Sequence, residues 1–381
     1  MIFLKKALVI FFSLIVLSCI GLLVTGHGFI FTSIQRTYLA GNITANINDH
    51  QSFDVRDIKA GQPTPLKKHS NFNKNPLRTK FLQELEHGNT AAYLVLKEGE
   101  IVAEHYFNGY NDRSKTNSFS MAKTITTLML GIAIDEGFVR DLDQPITDFI
   151  PEFKDDPLGK KATIRQFSLM NSGYEWVENY YTPFSPTVEL YYGHNIEEFL
   201  LGGEFSAEPG TFWEYSSAST QIMGIFLLRA LQKAGAASTL SEYLSEKIWQ
   251  PMGMNDDALW HLDQSGMELV YCCVNTNARN FAKLGILLQN NGRWNNQQIV
   301  PSSFVQKMIR PDGQPYYGLS TWLELEKTPN YHWYSGHLGQ YIISVPEHNM
   351  VIVRLGESRS ADVDFRTVTL PKYVEESLKT L

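Results

Sequence analysis

Ser120-Met121-Ala122-Lys123 is the chain's one Ser-x-x-Lys, and it stands at the head of a strongly apolar run. Residues three apart share a face of an α-helix, so a lysine at this spacing reaches the seryl hydroxyl. Held neutral by burial and by neighbouring positive charge, such a lysine takes the seryl proton and leaves a nucleophile without any histidine. The helix adds an oxyanion donor. The Ser120 N–H belongs to the unpaired first turn, where the macrodipole favours developing negative charge. Residues 124–137 are apolar on nearly every side and close on Gly137, which predicts a buried central helix ended by a glycine. The tetrapeptide alone equally describes an N-cap serine and a snorkelling lysine, so the chemistry needs further partners.

Two later segments offer them. Glu208-Pro209-Gly210-Thr211-Phe212-Trp213-Glu214-Tyr215-Ser216-Ser217 is a turn followed by a Tyr-x-Ser, and Ser335-Gly336-His337-Leu338-Gly339-Gln340 opens a β-type run over residues 341–345. With Ser-x-x-Lys they form an ordered triple that resembles the serine β-lactamase and penicillin-binding protein superfamily. Within it the chain is most similar to the class C-like branch, which includes esterases, D-aminopeptidases and the 6-aminohexanoate-dimer (nylon-oligomer) hydrolases. The resemblance runs from Ala91 to Leu355. It takes in Lys97-Glu98-Gly99-Glu100, Ile146-Thr147-Asp148-Phe149-Ile150-Pro151, Met170-Asn171-Ser172-Gly173-Tyr174 and Pro251-Met252-Gly253-Met254.

The resemblance implies a β-lactamase-like α/β fold, an antiparallel sheet flanked by helices with an all-helical lobe inserted at roughly 124–275. It implies Ser120 as nucleophile and Lys123 as proton acceptor. Tyr215 then carries the proton to the leaving group as a phenol whose pKa Lys123 lowers, and the backbone N–H groups of Ser120 and Gln340 form the oxyanion hole. Ser217, His337 and Gly339 fall on the substrate side. Tyr174 and Trp176, with Tyr180, Tyr181 and Trp213, are expected pocket walls suited to apolar or linear acyl groups, although core positions explain them too. Penicillin-handling members usually carry Tyr-x-Asn and Lys-Thr-Gly, whereas this chain has Tyr215-Ser216-Ser217 and His337-Leu338-Gly339. A serine hydroxyl offers less than an asparagine amide, and histidine lacks a permanent charge for a substrate carboxylate. The expected substrate is therefore a small-molecule ester or amide. The alternative is a membrane-tethered penicillin-binding or sensor protein, a D,D-peptidase or weak β-lactamase that turns over slowly or not at all.

Other chemistries find little footing. Tyr106-Phe107-Asn108 also reads Tyr-x-Asn, but strand propensity accounts for it. No zinc-type His/Cys spacing, P-loop or dinucleotide fingerprint occurs, so neither metal nor cofactor is expected. A formal charge of -7 argues against nucleic acid as a partner. Cys272 and Cys273 are adjacent, Cys19 stands apart, and no disulfide framework is implied.

The elements that must position these residues follow from pattern. Lys5 and Lys6 precede an apolar run over 7–24 long enough to cross a bilayer, so residues 1–26 read as a membrane anchor that exports the rest, with a cleaved signal peptide as the competing view. Residues 27–75 read as a polar linker or arm whose Phe29-Ile30-Phe31 patch suits a membrane interface. A serine hydrolase domain of 76–381 follows. Hairpin strands are expected at 91–96 and 100–106, helices at 77–86, 196–201, 219–233, 240–249 and 279–289, then strands at 341–345 and 350–355 and a closing helix at 371–378. Oligomeric state is left open.

Overall fold

A computed structural model describes residues 2–359 and 364–381; Met1, the first residue of the expected anchor, lies outside them. The chain opens with α1 (Ile2–Val24) and α2 (Phe29–Arg36), then β1 (Val55–Ile58), α3 (Thr79–His87) and the hairpin β2 (Thr90–Lys97) and β3 (Glu100–Tyr106). A short β4 (Thr116–Asn117) leads into α4 (Met121–Asp135). Helices α5 (Ile164–Ser168), α6 (Pro186–Tyr192), α7 (Ile196–Leu201), α8 (Ser217–Ala234) and α9 (Leu240–Leu244) follow. The chain returns through β5 (Ala258–His261), β6 (Val274–Thr276) and α10 (Ala278–Gln289), a small hairpin of β7 (Arg293–Trp294) and β8 (Gln297–Gln298), and α11 (Ser302–Met308). Strands β9 (Trp322–Glu324), β10 (Tyr331–Gly336), β11 (Gln340–Val345) and β12 (Met350–Gly356) precede the closing α12 (Leu370–Leu378).

The main sheet is antiparallel, ordered β3-β2-β12-β11-β10-β9, so both ends of the chain build it. Its strands read as almost continuously apolar because both faces are covered. Side chains alternate across a strand: Tyr93 and Val95 join α3 and α12 in one core, while Ala92, Leu94 and Leu96 face the larger core containing α4 and α10. Gly285 lets α10 lie close on this sheet, since a Cβ there would collide with Ile342 and Val351.

A second sheet, β1-β5-β6-β4, ties residues 55–58 of the N-terminal segment to the entry of α4. The 27–75 segment is thus largely packed. Phe29 and Ile30, expected at a membrane interface, are instead buried against Phe53, Val188 and Tyr192, because the body offers them an apolar surface of its own. The first helix is long and apolar enough to be an anchor or a signal sequence, and its window is wholly unburied by the rest of the molecule. Cys272 and Cys273 are joined as a vicinal disulfide.

Candidate active site

Two helix N-termini converge on Lys123. The first is that of α4, entered through a tight corner: Ser118 exchanges backbone and side-chain hydrogen bonds with Val274, and the Phe119 N–H donates to Asn117 Oδ1. Phe119 takes a φ of 43°, a left-handed conformation that a phenylalanine holds only when its surroundings enforce it. This corner sets Ser120 at the N-cap of α4. The Ser120 N–H has no acceptor among the described residues and is open to a ligand.

The second is that of α8, whose N-cap Ser216 accepts from the Ser219 N–H and so fixes Tyr215 and Ser217 beside the first. Lys123 is 1% exposed. Its Nζ lies 3.0 Å from Ser120 Oγ, 3.0 Å from Ser217 Oγ and 3.1 Å from the Tyr271 carbonyl. The ring of Tyr215 is centred 5.0 Å away.

Burial lowers Lys123 to about 8. The neighbouring positive charge expected to help is replaced by Glu178, whose negative charge acts the other way. The expectation for Tyr215 is reversed: burial raises its pKa, a hydrogen bond with Ser120 opposes that in part, and Glu178 adds to the rise. Tyr215 is therefore a neutral phenol that holds its proton.

Glu178 was not legible in the sequence. It lies in the irregular stretch between α5 and α6, and no motif marks it. Its carboxylate accepts from the Ser217 N–H (2.9 Å), the Ser217 hydroxyl (2.6 Å), the Trp176 indole (2.6 Å) and the Tyr180 hydroxyl. A carboxylate only accepts, so the single Ser217 proton points to Glu178 and a Ser217 lone pair faces Lys123. A neutral Lys123 amine has two protons. Ser217 Oγ and the Tyr271 carbonyl take them, and its own lone pair is left facing the Ser120 hydroxyl.

The turn between β10 and β11 completes the site, with a register that differs from the expected one. The structure puts Gly339 and Gln340 behind the cavity. The carbonyl of Gly339 accepts from Arg354 at 2.9 Å. Gln340 is wholly buried and does not line the cavity, and its side-chain amide donates to the carbonyls of His337 and Gly356 at 2.9 and 2.7 Å. The hairpin instead approaches the α4 corner at Gly336, where a Cβ would collide with the Ser118 carbonyl oxygen. His337, next in the chain, lines the cavity with Ser120. Its ring stacks on Tyr180 at 4.8 Å and meets Phe119 edge-on at 5.5 Å. Burial, with Arg359 nearby, lowers it to about 4, so it is neutral.

The cavity over Ser120 measures about 410 Å³. Ser217, Tyr180 and Tyr181 line it, whereas Tyr174 and Trp176 do not. Tyr174 is packed edge-on against Phe205 with its hydroxyl on the Leu200 carbonyl, and Trp176 is buried beside Phe199. Both are core residues because residue 174 is bridged to residue 205, which turns the pair inward. Trp213 does not line the cavity either; it sits in an aromatic group with Tyr316, Tyr317 and Trp322, and Trp322 of that group packs on Tyr215.

The sequence profile of the Beta-lactamase family matches residues 79–368. A 6-aminohexanoate-dimer hydrolase from Paenarthrobacter ureafaciens is 25% identical over 238 residues, which is 60% of this chain and 59% of that protein. The chain thus spans less than two thirds of the length of the curated relatives it matches. Among solved structures, a protein assigned as a 6-aminohexanoate-dimer hydrolase from Bacillus anthracis superposes with a TM-score of 0.74 at 25% identity, covering 89% of this chain and 94% of that one. A family VIII carboxylesterase superposes with a TM-score of 0.62 at 19% identity, covering 86% and 100%, a likeness of fold alone.

Proposed function

From the Beta-lactamase family, to which this chain belongs, we propose that it is a serine hydrolase cleaving an ester or small amide through an acyl-enzyme on Ser120. One observation carries this: Lys123 Nζ lies 3.0 Å from Ser120 Oγ with Ser217 Oγ and the Tyr271 carbonyl placed to take the two protons of the neutral amine, so that in this form its lone pair faces the Ser120 hydroxyl. With a pKa of about 8, roughly a tenth of Lys123 is neutral at pH 7 and half at pH 8, which makes it a usable base in mildly alkaline solution.

Ser120 Oγ attacks the carbonyl carbon as Lys123 takes its proton. The oxyanion is held by the Ser120 N–H and, in place of the expected Gln340, by the N–H of His337, the residue of the hairpin that lines the cavity. Tyr215, a neutral phenol beside Lys123, hands a proton to the departing alcohol or amine and is recharged from Lys123. Water then releases the acid by the reverse sequence. Glu178 is a positioning residue, since it orients the Ser217 hydroxyl that in turn orients Lys123. Without a cationic side chain on the cavity wall among the described residues, a β-lactam carboxylate finds no counter-charge, which favours neutral substrates.

We assign α1 as an uncleaved anchor, with Lys5 and Lys6 on the cytoplasmic side and the hydrolase body exported. A fluorophosphonate probe tests the chemistry. The wild-type chain is expected to label, and Ser120→Ala to lose the label with its circular dichroism unchanged; labelling that persists in the variant overturns the assignment.

A further inference from the structure

The cavity over Ser120 has two unlike halves. At the catalytic end, His337 Nε2 and the Tyr271 hydroxyl are buried and have no hydrogen-bond partner among the described residues. Buried polar atoms left in that state are costly, and a ligand that brings one polar centre to this end relieves the cost. Away from that end the wall is mostly apolar: Ile34, Ile43, Ala45, Pro183, Phe184 and Val188 line it, and of the hydroxyls interspersed among them those of Thr37 and Thr187 are turned onto the carbonyls of Ser33 and Val177. Among the described residues the cavity wall carries no lysine, arginine, aspartate or glutamate.

This apolar end lies beside the membrane-type helix. His27 follows the end of α1, and its ring is 5.7 Å from that of Phe184 on the cavity wall. The wall residues Ile43 and Phe184 are 83% and 61% exposed, apolar side chains left open to an apolar partner. Phe29 and Ile30 of α2, next after His27, are buried on α6.

We propose that the acyl half of the substrate is a straight-chain fatty acyl group, its ester carbonyl at Ser120 and its tail between residues 34–45 and 183–188. The proposal rests on the hydrolase reading and names its substrate class. Ser120 Oγ bonds to the acyl carbon, the bond from that carbon to the alcohol oxygen breaks, and the Ser120 proton reaches the alcohol through Lys123 and Tyr215. Water then adds to the acyl carbon, Ser120 recovers a proton, and a fatty acid and an alcohol are the only products.

The test is kcat/KM of the full chain in detergent micelles on p-nitrophenyl acetate, butyrate, octanoate and dodecanoate, normalised to sites titrated with the fluorophosphonate probe so that misfolded protein is not counted. Each added methylene that enters the cavity is expected to raise kcat/KM by up to about fourfold, the equivalent of about 0.8 kcal/mol, until the tail fills it. Ala45→Trp, which fills the apolar end, is expected to move the optimum to a shorter chain. Ile34→Asp is expected to lower the octanoate-to-acetate ratio about tenfold or more, the loss of a few buried methylenes. Fatty acid released from phosphatidylcholine vesicles carrying the full chain assigns the acyl donor to the bilayer; the same chain-length rise on free esters alone assigns it to solution. A flat or falling series with intact labelling overturns the acyl-chain assignment and leaves the hydrolase standing. Absence of labelling overturns the hydrolase reading itself.

Discussion

Lys123 and Lys283 are both sealed in the interior, and burial brings each down to about 8, yet they stand in opposite surroundings. Lys283 Nζ meets the carbonyls of Thr64 and Gly253 at 2.8 and 2.6 Å and Asn255 Oδ1 at 3.0 Å. Three acceptors match the three protons of an ammonium. Lys283 is a tie, joining the arm to the turn that follows α9. Lys123 has two groups that can only accept, and its third neighbour is a hydroxyl with a proton to lose. A lowered pKa makes either lysine available as a base in principle; the donor and acceptor arrangement decides that only one can act.

The largest expected effect tests the active member of the pair. Lys123→Met keeps the volume and removes the base, so kcat/KM is expected to fall about a thousandfold or more, and because Ser217 Oγ and the Tyr271 carbonyl lose their donor, stability is expected to fall by about 2 kcal/mol as well. Activity within tenfold of wild type would sink the base assignment. Lys283→Met should touch stability alone. It orphans three buried acceptors, and unfolding in urea is expected to show a loss of about 3 kcal/mol with kcat per titrated site unchanged. A Lys283→Met protein as stable as the wild type would mean that the Thr64 and Gly253 carbonyls and Asn255 Oδ1 do not need the lysine.

Glu178→Gln sharpens the comparison, because an amide can donate as well as accept and no longer dictates where the Ser217 proton points. A loss of about tenfold in kcat/KM is expected, the worth of one charge-assisted hydrogen bond. Activity rises with pH as Lys123 loses its proton, and the negative charge of Glu178 favours the protonated amine. Removing that charge moves the acid limb of the pH–kcat/KM profile to lower pH. A purely structural role would lower kcat and leave the limb where it was.

The contrast between the two lysines also marks what the sequence could disclose. Ser120, Lys123 and Tyr215 were legible because each sits in a short pattern whose spacing is set by a helix or a turn. The strands were legible for a similar reason, although 93 and 95 face one core and 92, 94 and 96 the other, so alternation showed only once both cores were seen. Glu178 reaches Ser217 across an irregular stretch, and nothing local announces such a contact. The register of the third motif is ambiguous in the sequence. Leu338, at a φ of 59°, turns the chain so that His337 rather than Gln340 meets the cavity, and a run of His-Leu-Gly-Gln does not reveal which residue the turn will present. Phe29 and Ile30 looked like membrane contacts because their true partners, Val188 and Tyr192, are remote in sequence.

The smallest effect asks whether burial alone sets both pKa values. Each lysine falls from an ordinary 10.5 to about 8. Between those values the unfolded chain holds a proton on each lysine that the folded chain lacks, so stability rises with pH across this window and the gain is absent below it. The share of each lysine is about 1.4 kcal/mol per pH unit at most. Buried phenols such as Tyr93 and Tyr334, raised by burial, release protons only on unfolding and pull stability the other way as the pH climbs. The informative quantity is therefore the difference between wild type and variant in urea midpoint from pH 8 to 10, in which the tyrosine contribution cancels. Lys123→Met and Lys283→Met are expected to lose equal shares of the rise, though only the first loses activity. Unequal shares would show that Glu178 or Ser217, not burial, governs the proton on Lys123.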